Sequence, residues 1–419
     1  MLLKNQSFGY SSLARCLRSG DFYVDPYLQE ESYRKKVIEE AIRIADSKFS
    51  RGISIKEVMA SGKKAYAISK LSEKLVLRRC VSNIRSCTSI STVHRNTVAG
   101  EAVPFLKEGT PYRVYRLDIK SFFESVDIND VGYALDRNSN LSVHTNKIIM
   151  AFLSRFRSEF GEGIPRGVEI SPILSEILLE PFDNALKNHG EVFYYARFVD
   201  DILVITSSFE DEKEFLKWVR SRLLKGLFLN HKKKSVVTVC KRTKAAGCAD
   251  GIEVGAFDFL GYEYLVVDTE VSKGQLGAVS RDVRIDLSKS KANKIKKKIS
   301  ESFYNHVKYP NFKLLYDRLV FLSTNRDMKH NDKNRYIPTG IYYSYSVVGR
   351  DSKRLEDLDV YLRYSAQSSR SRLGNLVRGS LSNEERRAIL KISFVEGFKK
   401  RVHKRFSPSR LEEISKVWR

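Results

Sequence analysis

Two adjacent aspartates lie within the run YYARFVDDILVITS, Tyr194–Ser207, which is otherwise rich in β-branched and aromatic residues. Taking unpaired carboxylates out of water is costly, so a buried strand does not carry two of them without compensation. Asp200 and Asp201 fall where two strand-like runs meet, Val192–Phe198 and Ile202–Thr206, which predicts the tip of a hairpin. Mg²⁺ binds one or two protein carboxylates together with water and phosphate oxygens, and it is the compensation that we expect.

A third carboxylate is available from Asp118 in the segment RLDIKSFFESVD, at the end of a predicted strand, Tyr112–Ile119. Two metal ions about 3.5–4 Å apart activate an attacking oxygen and stabilise a leaving oxygen in phosphoryl transfer. An Asp-Asp pair alone is most often an ordinary turn. The order of Asp118, a Gly/Pro-rich loop and the Asp-Asp hairpin favours a metal-dependent site on one palm-like sheet.

The elements around these aspartates follow from local signals. The segment GEGIPRGVEISP, 161–172, is a loop because glycine and proline punctuate it. Ser171 is predicted as the N-cap of the following helix, with Pro172 at its first position and Pro181 as a kink or a division. After the hairpin, EDEKEFLKWVRSRLLKGL predicts an amphipathic helix with an acidic start and a basic end.

The segments on either side of these elements give weaker local signals. Residues 27–90 are predicted to be mainly helical, and Phe257–Val267 a hairpin or strand. From about residue 281 the chain is predicted to be helical, basic and tyrosine-rich. Residues 281–350 contain 16 Lys and Arg against 6 Asp and Glu, a net charge of +10.

Composition narrows the function classes. The 419 residues include 74 Lys and Arg against 50 Asp and Glu, a net charge of +24. This excess favours a polyanionic partner, nucleic acid before membrane, over the alternative of a merely solvated basic surface. No stretch approaches twenty apolar residues, so we expect no membrane span. The spacing of the five cysteines matches no common zinc pattern, which indicates reduced thiols and a cytoplasmic protein.

Together these segments resemble the reverse transcriptases, whose motifs occur here in the family's order. RLDIKSFFESVD resembles motif A, GIPRGVEISPILSEILLEPFD motif B, YARFVDDILV motif C, GLFLNHKKKS motif D and FLGY motif E. The resemblance covers about residues 110–268, and it departs from the family at Arg166, where motif B often has Gln. It implies an α+β right-hand polymerase fold with fingers, a palm of antiparallel sheet backed by helices, and a helical thumb.

The implied domains follow the motifs. Fingers and an N-terminal helical region occupy 1–110, and the palm occupies 111–140 with motif A and 171–268 with motifs B to E. A fingers/palm insertion lies between them at 141–170, and a basic helical thumb covers 281–419.

The resemblance also implies roles for individual residues. Asp118, Asp200 and Asp201 are the catalytic residues and, with the carbonyl of Ile119, bind two Mg²⁺ ions, for which Mn²⁺ can substitute. Phe123 is the steric gate that excludes a 2′-hydroxyl and so favours dNTPs.

Basic residues are implied for the triphosphate. Arg95 and Lys233 are the candidates for dNTP binding; Lys234 is the alternative in motif D, and Lys74, Arg78 and Arg79 are the alternatives in the fingers. Ordinary solvated charges explain the finger residues equally well.

The template and primer are implied to contact the motif B and motif E segments, at Gly167, Ser171, Pro172, Leu260 and Gly261.

The implied function is RNA-directed DNA synthesis. The chain has no recognisable ribonuclease H or zinc endonuclease segment, and it resembles the stand-alone bacterial enzymes, retron and defence-associated (abortive-infection-like). FLSTNRDM, IPTGIYYSYSVV and HRNTV resemble the defence-associated group. This implies antiphage defence with a noncoding RNA as template, dNTPs as substrates and DNA as product. A partner protein or a homo-oligomer is compatible with it, and no membrane is expected.

Three alternatives stay open from the sequence. The same palm is used by RNA-dependent RNA polymerases and by untemplated terminal transferases. The third is a non-catalytic nucleic-acid-binding module, against which the presence of all three aspartates argues.

Overall fold

The computed structural model describes residues 5–60, 62–88, 90, 93–242, 251–270, 279–329 and 336–418. These residues form two compact units. The aspartate unit comprises the described residues of Met1–His94 and Tyr112–Val236, and the hairpin unit those of Arg95–Pro111, Val237–Lys329 and Arg335–Arg419.

The helices of the described residues are α1 (Tyr10–Ala14), α2 (Ser19–Val24), α3 (Glu31–Ser47), α4 (Leu71–Cys87), α5 (Arg95–Glu101), α6 (Val103–Leu106), α7 (Phe122–Ser125), α8 (Ile128–Asp136), α9 (Val143–Phe160), α10 (Ser171–Lys187), α11 (Glu212–Arg222), α12 (Lys289–Lys308), α13 (Phe312–Ser323), α14 (Lys353–Gln367), α15 (Arg372–Ser380), α16 (Asn383–Leu390), α17 (Phe394–Lys399) and α18 (Pro408–Lys416), with a 3-10 turn at Pro26–Gln29. The strands are β1 (Ile55–Ala60), β2 (Lys63–Ile68), β3 (Tyr112–Asp118), β4 (Val192–Phe198), β5 (Asp201–Thr206), β6 (Ser235–Val239), β7 (Ile252–Phe259), β8 (Tyr262–Glu270), β9 (Val279–Leu287), β10 (Asn325–Lys329) and β11 (Tyr336–Gly340).

The aspartate unit contains a sheet in which β5 lies between β4 and β3 and pairs antiparallel with both. After its first residue, β5 is buried throughout, and it lies between β4 and β3 in the sheet. The apolar faces of α4, α9 and α10 complete this core. The carboxylate-bearing ends of β3 and β5 are thereby fixed to a rigid layer.

The loop before α10 is held against the segment after β3. Ile164 N–H donates to the carbonyl of Phe123 at 2.8 Å. A Cβ on Gly163, which has φ +99°, would lie 2.3 Å from that same carbonyl oxygen. Only glycine permits this approach at this backbone conformation.

One prediction about α10 is wrong, and of the two alternatives predicted for Pro181, a kink or a division, the division does not occur. Ser171 is the first helical residue and not the N-cap, which is Ile170. The Ser171 hydroxyl donates to the carbonyl of Pro165 at 2.7 Å, because closing the preceding loop offers a buried acceptor. Pro181 does not divide α10, which runs unbroken from Ser171 to Lys187.

The hairpin unit contains the antiparallel sheet β7-β8-β9 and the helices from α12 onward. Leu260 and Gly261 form the turn between β7 and β8, and both have positive φ, at +50° and +82°. A two-residue hairpin turn commonly requires this conformation. The predicted hairpin at Phe257–Val267 is therefore confirmed.

The region predicted to be helical from about residue 281 contains α12 to α18, but it also contains strands that the prediction did not include. Strand β9 includes VSRDVRIDL, in which buried and exposed residues alternate. Arg284 occupies an exposed position of this period-2 pattern, whereas Arg281 is buried and pairs with Asp268 at 2.8 Å, which composition alone does not reveal. The strands β10 and β11 form a further hairpin.

Residues 27–90 are mainly helical, as predicted, but a hairpin that the prediction did not include lies between the helices. Within 27–90, α3 and α4 are helices, but β1 and β2 form an antiparallel hairpin. A boundary between the compact units falls at 236/237, and β7 pairs with β8 in the hairpin unit.

Within the described ranges, no helix combines the length and the apolar run needed to cross a membrane. The thiols of Cys16, Cys80, Cys87 and Cys240 form no disulfide. Cys248 lies outside the described residues.

We expect Gly163→Ala to destabilise the protein more than Gly161→Ala. Both glycines have φ +99°, so both substitutions carry backbone strain of about 1–3 kcal/mol. A Cβ at Gly161 meets nothing within 4 Å, whereas one at Gly163 collides with the Phe123 carbonyl. Overpacking should add about 1–3 kcal/mol at Gly163. Urea unfolding measures the difference, and equal losses would show that the loop is not held as described.

Candidate active site

Two aspartates face each other across neighbouring strands. Asp118 ends β3 and Asp201 begins β5, and the two are direct partners in the antiparallel register. Asp200 precedes Asp201 in the turn, and its carbonyl accepts the N–H of Ile119 at 3.0 Å. The register of one strand pair therefore gathers the three predicted catalytic aspartates.

The turn that carries Asp200 has an unusual backbone. Phe198 pairs with Asp201, so Val199 and Asp200 form the two-residue turn between β4 and β5. Val199 has φ +60°, in the left-handed region that β-branched residues avoid. Glycine is the usual residue at such a position, so the surrounding structure must hold Val199 there.

The segment after α11 brings a lysine to Asp118. Lys120 N–H donates to the Phe228 carbonyl at 2.8 Å, and Asn230 N–H donates to the Asp118 carbonyl at 2.7 Å. Through these bonds the side chain of Lys233 reaches Asp118 and forms an ion pair with its Oδ1. Lys234 instead pairs with Glu212 at 3.2 Å. Of the two predicted motif D lysines, Lys233 is the one that faces the aspartates.

The electrostatics reflect crowded negative charge. The pKa of Asp201 is raised to about 6, first by burial and then by the neighbouring Asp200 and Asp118. The pKa of Asp200 is also raised, first by burial and then by Asp118. The Lys233 ammonium opposes both shifts, and its own pKa is raised, chiefly by its hydrogen bond to Asp118. One lysine does not neutralise three carboxylates.

The donor set fits a hard divalent cation, because buried carboxylate oxygens are the ligands that Mg²⁺ binds in proteins. The raised pKa values of Asp200 and Asp201 mark negative charge that such an ion would neutralise. Among the described residues, no three His, Cys, Asp or Glu side chains converge closely enough to hold a metal. In this structure the ammonium of Lys233 pairs with Oδ1 of Asp118, an oxygen that a metal ion would otherwise bind.

The predicted steric gate lies beside this cluster in the chain. Phe123 is in α7, five residues after Asp118, and is buried. Its ring contacts Phe122 edge-on at 5.4 Å, and the Arg166 guanidinium lies 5.0 Å from the ring centroid. Arg166 is held in turn by Glu124 at 3.0 Å. The ring is therefore fixed between the loop and α7.

The motif B residues predicted to contact template lie in the same loop. Gly167 has φ +91°, and its Cα faces the carbonyl of Tyr66 in β2, which a Cβ would approach to 3.0 Å. Tyr66 N–H donates to the Arg166 carbonyl at 2.7 Å. Ser171 is fully buried, and Pro172 lies in the first turn of α10. Ser171 thus supports the loop from inside.

Arg95, predicted to bind the triphosphate, belongs to the hairpin unit and not to the aspartate unit. Its guanidinium donates to the Ser344 carbonyl and lies 5.6 Å and 5.3 Å from the rings of Tyr262 and Tyr345. The structure does not bring it into one unit with the aspartates.

The alternative finger residues lie in α4. Arg78 is buried and binds Asp21 at 2.6 Å and Glu169 at 3.2 Å. Arg79 donates to the carbonyls of Ser7 and Asn5. Both arginines therefore tie the N-terminal segment to α4, and Lys74 is half-buried beside them.

Sequence reasoning missed Lys63. This exposed lysine begins β2, next to the tip of the β1–β2 hairpin, and its charge acts on the carboxylate of Asp200. The dipeptide Ser61-Gly62 between two β-prone runs is a hairpin signal that would have placed it on a strand.

Leu260 and Gly261, the predicted primer-contacting residues, form the β7–β8 turn in the hairpin unit. The Gly261 carbonyl accepts Ser288 N–H at 3.0 Å. A Cβ on Gly261 would lie 2.6 Å from the Lys291 side chain, at the start of the basic helix α12. The turn and α12 are packed together.

Comparison with known proteins gives one family. Residues 67–264 match the model of the family described as reverse transcriptase (RNA-dependent DNA polymerase). No curated protein matches. One similar solved structure is an apo telomerase from Candida tropicalis, truncated from its C-terminal domain, with 15% sequence identity and a TM-score of 0.33. That similarity covers 59% of this chain and 60% of the telomerase chain, which is less than two thirds of its length.

We expect Asp201→Asn to raise stability at neutral pH in the absence of divalent cations. A carboxyl whose pKa is about 6 in the folded protein and lower in the unfolded chain loses stability as pH rises through that interval. The neutral amide avoids this loss, so thermal unfolding in chelator at pH 7.5 should show a gain of about 2 kcal/mol. The gain should shrink as the pH falls and vanish near pH 3, below both pKa values.

Asp211→Asn is the matched control. Asp211 caps α11 by accepting the N–H groups of Lys213 and Glu214, and its pKa is lowered chiefly by the bond from Glu214. Its substitution should bring no gain at any pH. A stability gain for Asp201→Asn that persists unchanged at pH 4 would contradict the proposed charge crowding.

Proposed function

We propose that this chain, whose residues 67–264 match the reverse transcriptase family, is an RNA-directed DNA polymerase that carries out nucleotidyl transfer. Asp118, Asp200 and Asp201 are the catalytic carboxylates. The observation that carries the proposal is the direct cross-strand pairing of Asp118 with Asp201, at the ends of two neighbouring antiparallel strands in an α+β fold. The fold supports it, because a rigid sheet holds like charges together at a fixed separation.

The carboxylates, with the carbonyl of Ile119, would hold two divalent cations, Mg²⁺ or in its place Mn²⁺. Such ions supply activation of the primer 3′-hydroxyl and neutralise charge on the leaving pyrophosphate. Asp118 can offer its Oδ1 only when Lys233 leaves it. The ammonium so displaced is then available to donate to the pyrophosphate.

Phe123 would select the sugar. Its ring is buried and fixed by Phe122 and Arg166, so it cannot yield to a 2′-hydroxyl without disturbing both. Rigid packing is what a steric filter requires, because a mobile ring would discriminate weakly.

Contacts with the triphosphate and the nucleic acid would come from other elements of the chain. Lys63 acts on Asp200 and is our candidate for the triphosphate, in place of Arg95. We propose that the loop at Gly167–Pro172 supports the templating base, that the Leu260-Gly261 turn contacts the primer, and that lysine-rich α12 neutralises backbone phosphates. In these terms β1–β2 belongs to fingers, β3–β5 to palm, and α12 onward to thumb.

We further propose that the chain acts in bacterial antiphage defence, in the cytoplasm, with a noncoding RNA as template. The sequence resemblance to defence-associated enzymes rests in part on HRNTV and IPTGIYYSYSVV. These two stretches contact each other, because Asn96 donates to the Tyr343 carbonyl at 2.9 Å and to Ser346 at 3.1 Å. The two stretches therefore pack together, which supports treating them as a single sequence motif of the proposed group. A partner protein or a second copy of the chain is compatible with this role.

The test is to purify the chain from cells, sequence the nucleic acid that copurifies, and add Mg²⁺ with labelled dNTPs. Labelled DNA complementary to a copurifying RNA, absent with Asp200→Asn, is the expected result. DNA without a matching RNA would indicate untemplated synthesis. Bound RNA with no product would contradict catalysis and favour a binding module.

We expect Lys233→Ala to tighten divalent cation binding while slowing DNA synthesis. Removing the ammonium leaves Asp118 open to a cation but takes a donor from the leaving pyrophosphate. The turnover number should fall about 10- to 100-fold while the Mg²⁺ concentration for half-maximal activity decreases. Lys234→Ala, which removes a partner of Glu212, should change neither quantity more than about twofold. Equal effects of the two substitutions would contradict the assignment.

We expect Phe123→Ala to admit ribonucleotides. Replacing the ring removes the obstacle to a 2′-hydroxyl, so the ratio of kcat/KM for dNTP over rNTP should fall by at least about 100-fold, near 3 kcal/mol of discrimination. Phe209→Ala is the control, since that ring is 87% exposed. If the variant kept full discrimination, Phe123 would not be the gate.

A further inference from the structure

Arg197 lies three residues before Asp200, on β4, and its side chain is only 2% exposed. All five of its N–H donors have acceptors. Nε and Nη2 bind Asp183 at 2.8 Å and 2.7 Å, Nη1 and Nη2 bind Glu176 at 3.1 Å and 2.8 Å, and Nη1 binds the Val199 carbonyl at 3.0 Å. The planar fork of arginine is fully used, and the three donors of a lysine do not reproduce it.

The two carboxylates come from one face of α10. Glu176 and Asp183 are seven residues apart, or two helical turns, so their side chains point the same way. Asp183 also accepts the hydroxyl of Tyr195 at 2.5 Å. The network therefore joins the helix after the Gly/Pro loop to the strand before the aspartates.

The fifth donor reaches the strained turn. Val199 has φ +60°, and its carbonyl is the group that Arg197 binds. Nothing in the local sequence favours a left-handed valine, so a long-range contact must hold it. Arg197 is placed to do so, because α10 fixes its guanidinium independently of the turn.

We propose that Arg197 is a positioning residue that holds the Val199 turn in its left-handed conformation and thereby sets where Asp200 and Asp201 lie relative to Asp118. This inference rests on the proposed function for its catalytic consequence, although the hold on the backbone is independent of it. A core ion network of purely structural importance would stabilise the fold without determining the turn.

The test begins with Arg197→Lys, which keeps the charge and loses the fork. We expect kcat for dNTP addition to fall about 10- to 100-fold with KM changed less than about threefold, because misplaced catalytic groups slow the chemical step. Backbone amide exchange in peptides covering 198–203 should become faster. Glu176→Gln, which keeps one acceptor, should show a weaker version of both effects and serves if the lysine variant does not fold.

A second substitution separates positioning from stability. Glycine adopts φ +60° without strain, so adding Val199→Gly to Arg197→Lys should restore kcat to within about fivefold of the Val199→Gly single variant. Arg113→Lys is the matched control. Arg113 binds Glu210 at 2.8 Å at the opposite end of the same sheet, and its substitution should lower stability without slowing exchange at 198–203.

The outcomes distinguish the hold of Arg197 on the Val199 turn from the effect of that hold on catalysis. Wild-type kcat and exchange in Arg197→Lys would overturn the inference, as would a loss that Val199→Gly does not restore. If the wild-type chain makes no DNA, the proposed function fails, and amide exchange alone still decides whether Arg197 holds the turn.

Discussion

Like-charge repulsion is the constraint on which the site depends. The β3–β5 register sets Asp118 directly opposite Asp201, with Asp200 beside them, in surroundings that bury the carboxylates and raise the pKa of two of them. Isolated strands would separate such charges. A sheet covered by helices keeps them together, so packing energy elsewhere in the aspartate unit offsets a local electrostatic cost.

The neighbouring elements each meet this constraint in a different way. The segment at Phe228–Lys233 supplies a cation that pairs with Asp118. The loop before α10 closes on the Phe123 carbonyl and fixes the aromatic ring there. Arg197 joins α10 to the turn. The loop before α10, α10 itself and the Val199 turn therefore connect the residue proposed to select the sugar with the residues that position the aspartates.

The sequence predicted the parts that depend on local signals. The strands before and after the Asp-Asp pair and the amphipathic α11 are confirmed, because apolar runs, turn residues and caps lie within a few residues of each other. It failed where distant residues decide. Ser171 serves the loop at Pro165 instead of capping α10, and Arg95 contacts Ser344 some 249 positions away. The roles of Lys63 and Arg197 depend on residues that are near them only in the folded chain, so local sequence does not predict them.

Divalent cation binding tests the central claim most directly. Isothermal titration of the metal-free protein with Mn²⁺, repeated for Asp118→Asn and Asp201→Asn, measures whether the crowded carboxylates form the site. We expect saturable binding in the wild type, at least tenfold weaker in each variant, with proton release near pH 6 reporting Asp201. Equal affinity in all three proteins would show that the aspartates hold no metal and would contradict the mechanism built on them.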